Sequence, residues 1–139
     1  RLLPRSRWLG DVYKRQAHIG WHANDLDRLA KLLERLPNVV VETGAILYEL
    51  GRQPRQAAAF FNAYADRILF GKDSYAPDEF PYYWRTFETN DEYFDYYGRY
   101  LAFWKLYGLD LPDEILRKVY YENALRVVPG IPRDAFPAF

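Results

Sequence analysis

Three side chains capable of acid–base or metal chemistry stand at the ends of short apolar segments. Glu42 comes directly after three consecutive valines, Asp73 comes shortly after the apolar residues 68–70, and His18 lies in a third such segment. Short runs of this kind are typical of parallel strands that are covered on both faces. Because the carboxyl ends of parallel strands meet at one rim of a sheet, we expect these side chains to converge there.

Both carboxylates also have an ordinary structural interpretation. Asp73 can bind a divalent metal or act as a base, but it can equally cap the next helix through the adjacent Ser74. Glu42 is either a carboxylate of the pocket rim or the partner of an arginine such as Arg52. Lys72 directly precedes Asp73 and should therefore point away from it, towards solvent or a helix. The residues alone leave these alternatives open.

A second histidine, His22, lies four residues after His18. This spacing creates a metal site when both histidines lie on one helix. Gly20 and the change from strand to loop intervene here, so we do not expect that helix. His22 is therefore only a candidate residue of the pocket rim.

The segments that position these side chains alternate between strand and helix patterns. Three strands are predicted, at residues 17–20, 39–41 and 68–70. A leucine-rich helix follows the first strand, with Asn24 or Asp25 at its N-cap, and residues 55–65 form another helix before the third strand. Alternation of strand and helix predicts a parallel sheet and the α/β class.

The second half of the chain is predicted to be helical after a proline- and tyrosine-rich loop at residues 75–84. Thr89 and Glu92 have the spacing of a capping box. Five aromatic residues then recur on one helical stripe: Tyr93, Tyr97, Tyr100, Trp104 and Tyr107. Such a stripe is a packing face or, alternatively, a surface for a ring-shaped ligand. Gly108 should end this helix, and Pro112 should open a last one.

The composition limits which binding partners and which kinds of metal site we expect for this chain. The chain has 139 residues, no cysteine and a formal net charge of zero. Zero net charge gives no electrostatic case for nucleic acid or for an anionic membrane surface. No apolar run approaches the ~20 residues that span a bilayer. The lack of cysteine excludes disulfides and thiolate metal sites, and it suits a cytoplasmic protein.

Three regions differ in character along the chain. Residues 1–16 are basic and lack a clear period, and their end, Asp-Val-Tyr-Lys-Arg-Gln, resembles translated sequencing-adapter sequence. We interpret them as a non-native leader and exclude them from the fold. Residues 17–128 form the credible domain, and the proline-containing residues 129–139 form an irregular tail. Because methionine is absent even at position 1, we expect the chain to be a piece of a longer protein.

Four segments together resemble the C-terminal half of an amidohydrolase-related protein. They are Ala-His-Ile-Gly at 17–20, Leu-Pro-Asn-Val-Val-Val-Glu-Thr at 36–43, Asp-Arg-Ile-Leu-Phe-Gly-Lys-Asp at 66–73 and Glu-Asn-Ala-Leu-Arg at 122–126. The branch they resemble includes aminocarboxymuconate-semialdehyde decarboxylase. The resemblance implies a (β/α)8 TIM barrel, of which this chain supplies about strands 6 to 8 and additional C-terminal helices. It also implies a divalent metal, usually zinc, at the carboxyl rim of the barrel.

The resemblance assigns roles to two residues. His18 corresponds to the histidine that ends the sixth strand and contacts the substrate or the reactive water. Asp73 corresponds to the aspartate that ends the eighth strand, binds the metal and takes a proton from metal-bound water. Lys72 departs from the family, which more often has serine or threonine at that position. The family's other metal-binding histidines have no counterpart here, so we expect this chain alone to be inactive.

The parent protein is therefore expected to be a metal-dependent hydrolase, in which metal-activated water attacks a carbonyl-type carbon of a small-molecule substrate. Related members decarboxylate with the same site. The alternative from another class is a non-catalytic α/β scaffold that binds a partner through its aromatic face. Neither nucleic acid nor membrane is an expected partner, whereas a homo-oligomer of the parent is compatible with the sequence. Strands separated from a barrel should leave two outer edges unpaired, so we also expect self-association.

Overall fold

A parallel sheet in the order β1-β2-β3 runs through the computed structural model, which describes residues 13–137. Its strands are β1 (Lys14–Gln16), β2 (Val39–Glu42) and β3 (Ile68–Leu69). Val41 of the central strand pairs with Gln16 on one side and with Ile68 on the other. The valines of β2 are buried, as expected for a parallel strand with both faces covered. The predicted parallel α/β arrangement is confirmed.

Helices connect the strands in the predicted order. α1 (Leu26–Arg35) lies between β1 and β2, and α2 (Leu47–Leu50) and α3 (Pro54–Ala63) lie between β2 and β3. α1 begins at Asp25, whose carboxylate accepts the backbone N–H of Arg28 at 3.0 Å. Its buried face consists of Leu26, Leu29 and Leu33. The amphipathic helix and its cap were therefore both visible in the sequence.

Arg67, directly before β3, ties the end of α1 to the start of β2. Its guanidinium donates to the carbonyl oxygens of Leu33 and Leu36 at 3.3 and 2.6 Å, and its Nε donates to that of Val39 at 2.7 Å. A cation at this end of a helix satisfies carbonyls that lack a partner within the helix. Partial burial lowers the pKa of the Arg67 guanidinium below its ordinary value. These hydrogen bonds hold the end of α1, the start of β2 and the start of β3 in a fixed relative position.

The first strand lies earlier in the chain than predicted. Pairing covers Lys14–Gln16, whereas Ala17–Trp21, expected to include the strand end, forms a tight helical turn. Four consecutive residues of this turn have left-handed φ values: His18 at 54°, Ile19 at 52°, Gly20 at 60° and Trp21 at 58°. The chain reverses there and cannot continue the extended pairing. Residues 14–16, which we had excluded from the fold, form β1 in this structure. Residues 1–12 lie outside the described part, and the non-native origin of residues 1–16 stays a prediction.

The interval predicted as a loop at residues 75–84 is partly helical. A short turn at Pro77–Glu79 leads into α4 (Phe80–Glu88). Pro81 lies in the first turn of α4, where its missing N–H would have had no partner in the helix anyway. Pro81 is therefore compatible with the start of α4, in an interval that we had predicted to be a loop.

The predicted aromatic helix does not form. An isolated antiparallel bridge occupies this region and joins Phe94 to Leu106 by hydrogen bonds of 3.1 and 2.8 Å. The aromatic residues of the predicted stripe do not lie on one face of the structure either. Tyr93 and Tyr100 are exposed, while Tyr97 and Trp104 pack against the core. Long-range backbone bonds hold the segment in place, among them Tyr107 N–H to the Gly51 carbonyl at 2.8 Å.

Two residues assigned to the caps of that helix have other roles. Thr89 ends α4: its hydroxyl donates to the Arg85 carbonyl at 2.8 Å and accepts the Asp91 N–H at 3.1 Å. Gly108 is required by space, because a Cβ there would lie 1.9 Å from the carbonyl oxygen of Thr89. Both residues therefore fasten the irregular segment to the end of α4.

The predicted last helix is confirmed, with an irregularity in its middle. α5 (Asp113–Arg117) continues through a π-helical turn (Lys118–Glu122) into α6 (Asn123–Val127). Beyond it, the described part of the tail contains one further short turn, Arg133–Ala135. None of the helices within residues 13–137 is long and apolar enough to cross a membrane.

This last helix covers the outer edge of β3. The Phe70 N–H donates to the Val119 carbonyl at 2.7 Å, and the buried Asn123 amide donates to the carbonyls of Ala65 and Ile68 at 2.6 and 2.8 Å. The expectation that both outer strands would present unpaired edges is therefore wrong for β3.

Candidate functional site

The carboxylate of Glu42, the last residue of β2, holds two backbone segments together. Oε1 accepts the His18 N–H at 2.5 Å, and Oε2 accepts the Gly44 N–H at 2.9 Å. Hydrogen bonds to an ionised acceptor are the stronger kind. Arg52, the alternative partner, lies 3.8 Å from Glu49 and so does not serve Glu42. Glu42 therefore joins the turn that carries His18 to the turn that follows β2.

The imidazole of His18 lies beside both carboxylates. Nδ1 is 3.6 Å from Oε1 of Glu42 and 3.6 Å from Oδ1 of Asp73, and it is 2.9 Å from the carbonyl oxygen of Gly44. A carbonyl can only accept, so Nδ1 carries a proton and Nε2 holds the lone pair of the neutral ring. His18 can therefore accept a proton or a hydrogen bond through Nε2.

Asp73 follows β3 and is the most accessible of the three side chains. It is 58% exposed, whereas His18 is 19% exposed. The structure does not support the capping alternative: the next helical turn, Pro77–Glu79, has Ala76 at its N-cap and no side-chain cap bond. The Asp73 carboxylate is therefore open to solvent or to a ligand, while it still lies next to the His18 ring.

Two glycines allow the strand ends to approach so closely. A Cβ on Gly71 would lie 2.0 Å from Oε2 of Glu42, and a Cβ on Gly44 would lie 2.9 Å from the same atom. Both distances are shorter than real Cβ contacts, so a side chain at either position would push the Glu42 carboxylate out of its place. The buried Thr43 closes the gap between the strands, since its hydroxyl accepts the Gly71 N–H at 3.2 Å. The sequence signal was a glycine within three residues of the end of each apolar run, at Gly44 and Gly71.

Lys72 faces the helical turn Pro77–Glu79 that leads into α4, in agreement with one of the two predicted orientations. Its ammonium forms an ion pair with Glu79 and lies 5.9 Å from the ring centre of Tyr97. The side chain is only 8% exposed, so the solvated alternative is wrong. The alternation of side chains along the strand end explains why Lys72 and Asp73 separate.

His22 does not join the other candidates. Its backbone N–H donates to the Ile19 carbonyl at 3.1 Å, and its own carbonyl accepts the Asp25 N–H at 2.9 Å. Among the described residues, its ring forms no hydrogen bond or ion pair with Glu42 or Asp73. It therefore helps to lead the chain into α1, and its place on a pocket rim stays a prediction.

Trp21 is a neighbour of the site that sequence reasoning missed. Its ring centre lies 4.7 Å from that of His18, and the side chain is 67% exposed. The left-handed turn brings it there, and this turn has no signal in the sequence other than Gly20. A large exposed aromatic ring beside the imidazole supplies an apolar surface at the rim.

The described residues do not complete a metal centre. Residues 13–137 contain no group of three or more His, Cys, Asp or Glu side chains that could hold a metal ion. Gly44 engages Nδ1 of His18, and backbone amides engage both oxygens of Glu42, which leaves Asp73 as the accessible carboxylate.

Residues 16–130 match the sequence model of a protein family described as amidohydrolase. The matched region includes His18, Glu42 and Asp73 and extends through the C-terminal helix. Searches of curated proteins and of solved structures gave no match.

Proposed function

We propose that this chain, which belongs to the amidohydrolase family, is the C-terminal part of a metal-dependent hydrolase built on a (β/α)8 barrel. The observation that carries the proposal is the meeting of His18, Glu42 and Asp73 at the carboxyl ends of three parallel strands. In barrels of this kind, that rim carries the reacting groups. The strands β1 to β3 would then be about the sixth to eighth of the barrel.

Each of the three residues has a distinct part in this proposal. Asp73 offers an open carboxylate that can bind a cation or take a proton at the rim. His18, with its proton on Nδ1, accepts through Nε2 and can orient a substrate or a water molecule. Glu42 touches the backbone of both turns and is therefore a positioning residue.

A divalent metal, usually zinc in such sites, would supply a Lewis acid and an acidic bound water. Residues 13–137 do not fit the complete group, because they contain no cluster of three possible ligands, and at the rim only the Asp73 carboxylate and Nε2 of His18 are open to a metal. The remaining ligands would have to come from other parts of a longer protein. We therefore propose that this chain alone is inactive.

A non-catalytic interaction module is the second candidate function. It is favoured by exposed aromatic rings in the irregular segment, where Tyr100 and Phe103 are 89% and 93% exposed. Large exposed apolar side chains in one segment are typical of surfaces that bind a partner.

Zinc content distinguishes these two functions. Dialysis against zinc followed by elemental analysis should find almost no metal in this chain. Extended by the residues encoded upstream, the same protein should retain about one zinc per chain. The Asp73→Asn variant of the extended protein should lose most of that metal, whereas Asp78→Asn, in the exposed turn before α4, should not. Stoichiometric zinc in the short chain would reveal ligands that we missed, and an extended protein without zinc would favour the interaction module.

A further inference from the structure

We infer that a cavity beside His18 binds an organic ammonium group, so that a substrate of the proposed hydrolase would carry a positive charge close to the bond that reacts. The identity of this ligand as a substrate rests on the proposed function. The binding itself depends only on residues of this chain, which form both walls of the cavity.

The cavity lies between the two turns that follow the neighbouring strands β1 and β2. It has a volume of about 220 Å³, and its described lining residues are Trp21, Ala23, Asn24, Ile46, Tyr48 and Glu49. Pockets for whole drug-sized ligands are typically about 300–1,000 Å³, so this one accepts a single ring or a short chain. In a barrel, the turns after neighbouring strands lie side by side at the carboxyl rim, so closing the barrel keeps both walls in place.

Trp21 joins this cavity to the candidate site, because its ring centre lies 4.7 Å from that of His18. His18, Ile19 and Trp21 all have left-handed φ values, a conformation that residues with a side chain rarely adopt. Strained residues of this kind are held by their surroundings and cluster at ligand sites. Ile19 is fully buried and the His18 N–H is bound by Glu42, so these two anchors present the exposed indole at the rim.

The side-chain amide of Gln53 holds the two walls of the cavity together. Its Nε2 donates to the Ala23 carbonyl of one wall and to the Glu49 carbonyl of the other, the latter at 3.1 Å. Behind the second wall, the Trp104 Nε1–H donates to the Tyr48 carbonyl at 3.0 Å. Because side chains from outside the cavity fix both walls, the cavity exists before a ligand binds, which lowers the entropic cost of binding.

The lining combines one carboxylate with two aromatic rings. Glu49 supplies the carboxylate, and neither lysine nor arginine is among the described residues that line the cavity. The Arg52 guanidinium lies 3.8 Å from the Glu49 carboxylate and stacks over Trp104, 4.3 Å from its ring centre. Since 3.8 Å is longer than a hydrogen bond, the carboxylate of Glu49 can accept one from a ligand.

An ammonium group matches this lining better than a neutral or an anionic group. The rings of Trp21 and Tyr48 can attract a cation through their faces, and tryptophan does so most strongly. The Glu49 carboxylate adds a charge-assisted hydrogen bond, while the buried Ile46 and Ala23 supply an apolar surface for a ring or an alkyl stem. An anionic ligand would instead face a carboxylate without a basic side chain in the lining to offset it.

Benzylammonium chloride is the probe, because its ring and its charge suit the cavity in size and sign. Proton–nitrogen correlation NMR of this chain during a titration should show shifts at the indole N–H of Trp21 and at the backbone amides of Ala23 and Glu49. Benzyl alcohol has the same ring without the charge and should bind at least about fivefold more weakly. Benzoate should not bind measurably.

Two variants separate the contribution of the charge from that of the ring. Glu49→Gln should weaken the binding of benzylammonium about fivefold and leave that of benzyl alcohol unchanged, because only the charge is lost. Trp21→Gly should weaken the binding of both, and glycine suits the left-handed φ of 58° at this position. The matched controls, Glu92→Gln and Trp84→Ala, change exposed residues outside the cavity and should leave the affinity unchanged.

Benzyl alcohol or benzoate that binds as tightly as benzylammonium would overturn the inference, and so would shifts that avoid the cavity. An affinity for benzylammonium that Glu49→Gln leaves unchanged would also refute it. Should Trp21→Gly fail to fold, the three probes and Glu49→Gln decide on their own. Benzylammonium binding together with an extended protein that lacks zinc would contradict the proposed hydrolase and leave the cation site in place, whereas zinc without benzylammonium binding would do the reverse.

Discussion

Oε1 of Glu42 accepts the backbone N–H of His18 at 2.5 Å, so a side chain at the end of β2 holds the turn that carries the imidazole. The other oxygen accepts the N–H of Gly44, whose carbonyl contacts the ring of His18. Glu42 and Gly44 thus fix His18 at both its backbone and its side chain. The position of the imidazole depends on these contacts rather than on the strand that precedes it.

Glu42→Gln should destabilise the protein by about 1–3 kcal/mol, because the amide replaces one acceptor with a donor that faces a backbone N–H. Urea denaturation measures the free energy of unfolding. Glu92→Gln, at an exposed position in the irregular segment, is the control and should change stability by less than ~0.5 kcal/mol. Equal stability of the two variants would show that the amides of His18 and Gly44 do not need the carboxylate.

Gly71→Ala should cost about 1–3 kcal/mol, because its Cβ would lie 2.0 Å from Oε2 of Glu42 and force that side chain aside. The coupling can be measured in a double-mutant cycle with Glu42→Ala. In the absence of the Glu42 carboxylate, Gly71→Ala should cost clearly less. Strictly additive effects would mean that the two residues do not meet. Gly130→Ala is a useful comparison, since φ is +85° there and nothing lies within 4 Å, so only backbone strain opposes the change.

Stability should fall in alkaline solution between pH values of about 10 and 12. Burial raises the pKa of Tyr96 from 10.0 to about 12, and burial also raises the pKa of Tyr97 and of Tyr83. In this interval the unfolded chain has lost a proton that the folded chain still holds, so the free energy of unfolding decreases as the pH rises. Below pH 10 this contribution is fully present.

Tyr96→Phe should make the alkaline loss less steep, as measured by urea denaturation at several pH values from 9 to 12. Tyr100→Phe is the control, because Tyr100 is exposed and its substitution should leave the slope unchanged. If the free energy of unfolding falls with pH as steeply in both variants as in the original chain, then the buried hydroxyl of Tyr96 does not cause the alkaline loss of stability.

In a complete protein that contains this chain, Asp73→Asn and His18→Ala should have different effects. Asp73→Asn should lower both the zinc content and the turnover, because the open carboxylate is the proposed ligand. His18→Ala should reduce turnover about 100-fold or more and leave most of the zinc, in keeping with a role beside the substrate. Elemental analysis and steady-state kinetics measure the two quantities. Equal loss of metal in both variants would show that the roles are wrongly assigned.

The sequence by itself determined the elements whose signals are local. Three consecutive valines predicted β2, the spacing of leucines after Asp25 predicted α1, and the Pro-Asp-Glu sequence at residues 112–114 predicted the start of α5. The order of these elements predicted a parallel sheet, and the polar residues after the strands predicted where candidate chemistry would lie. Each of these signals acts between residues a few positions apart, so the chain carries it before any tertiary contact exists.

Only the tertiary structure decided the features that depend on distant partners. Residues 93–107 have a helical pattern, but hydrogen bonds such as Tyr107 N–H to the Gly51 carbonyl at 2.8 Å hold the segment against the end of α2. Helix propensities differ by only a few tenths of a kcal/mol per residue, so a few buried long-range bonds outweigh them. The same reason explains why Glu42 binds the His18 amide and not Arg52, and why the last helix opens at Val119 to reach Phe70. These partners lie far apart in the chain, so no local sequence pattern predicts their contacts.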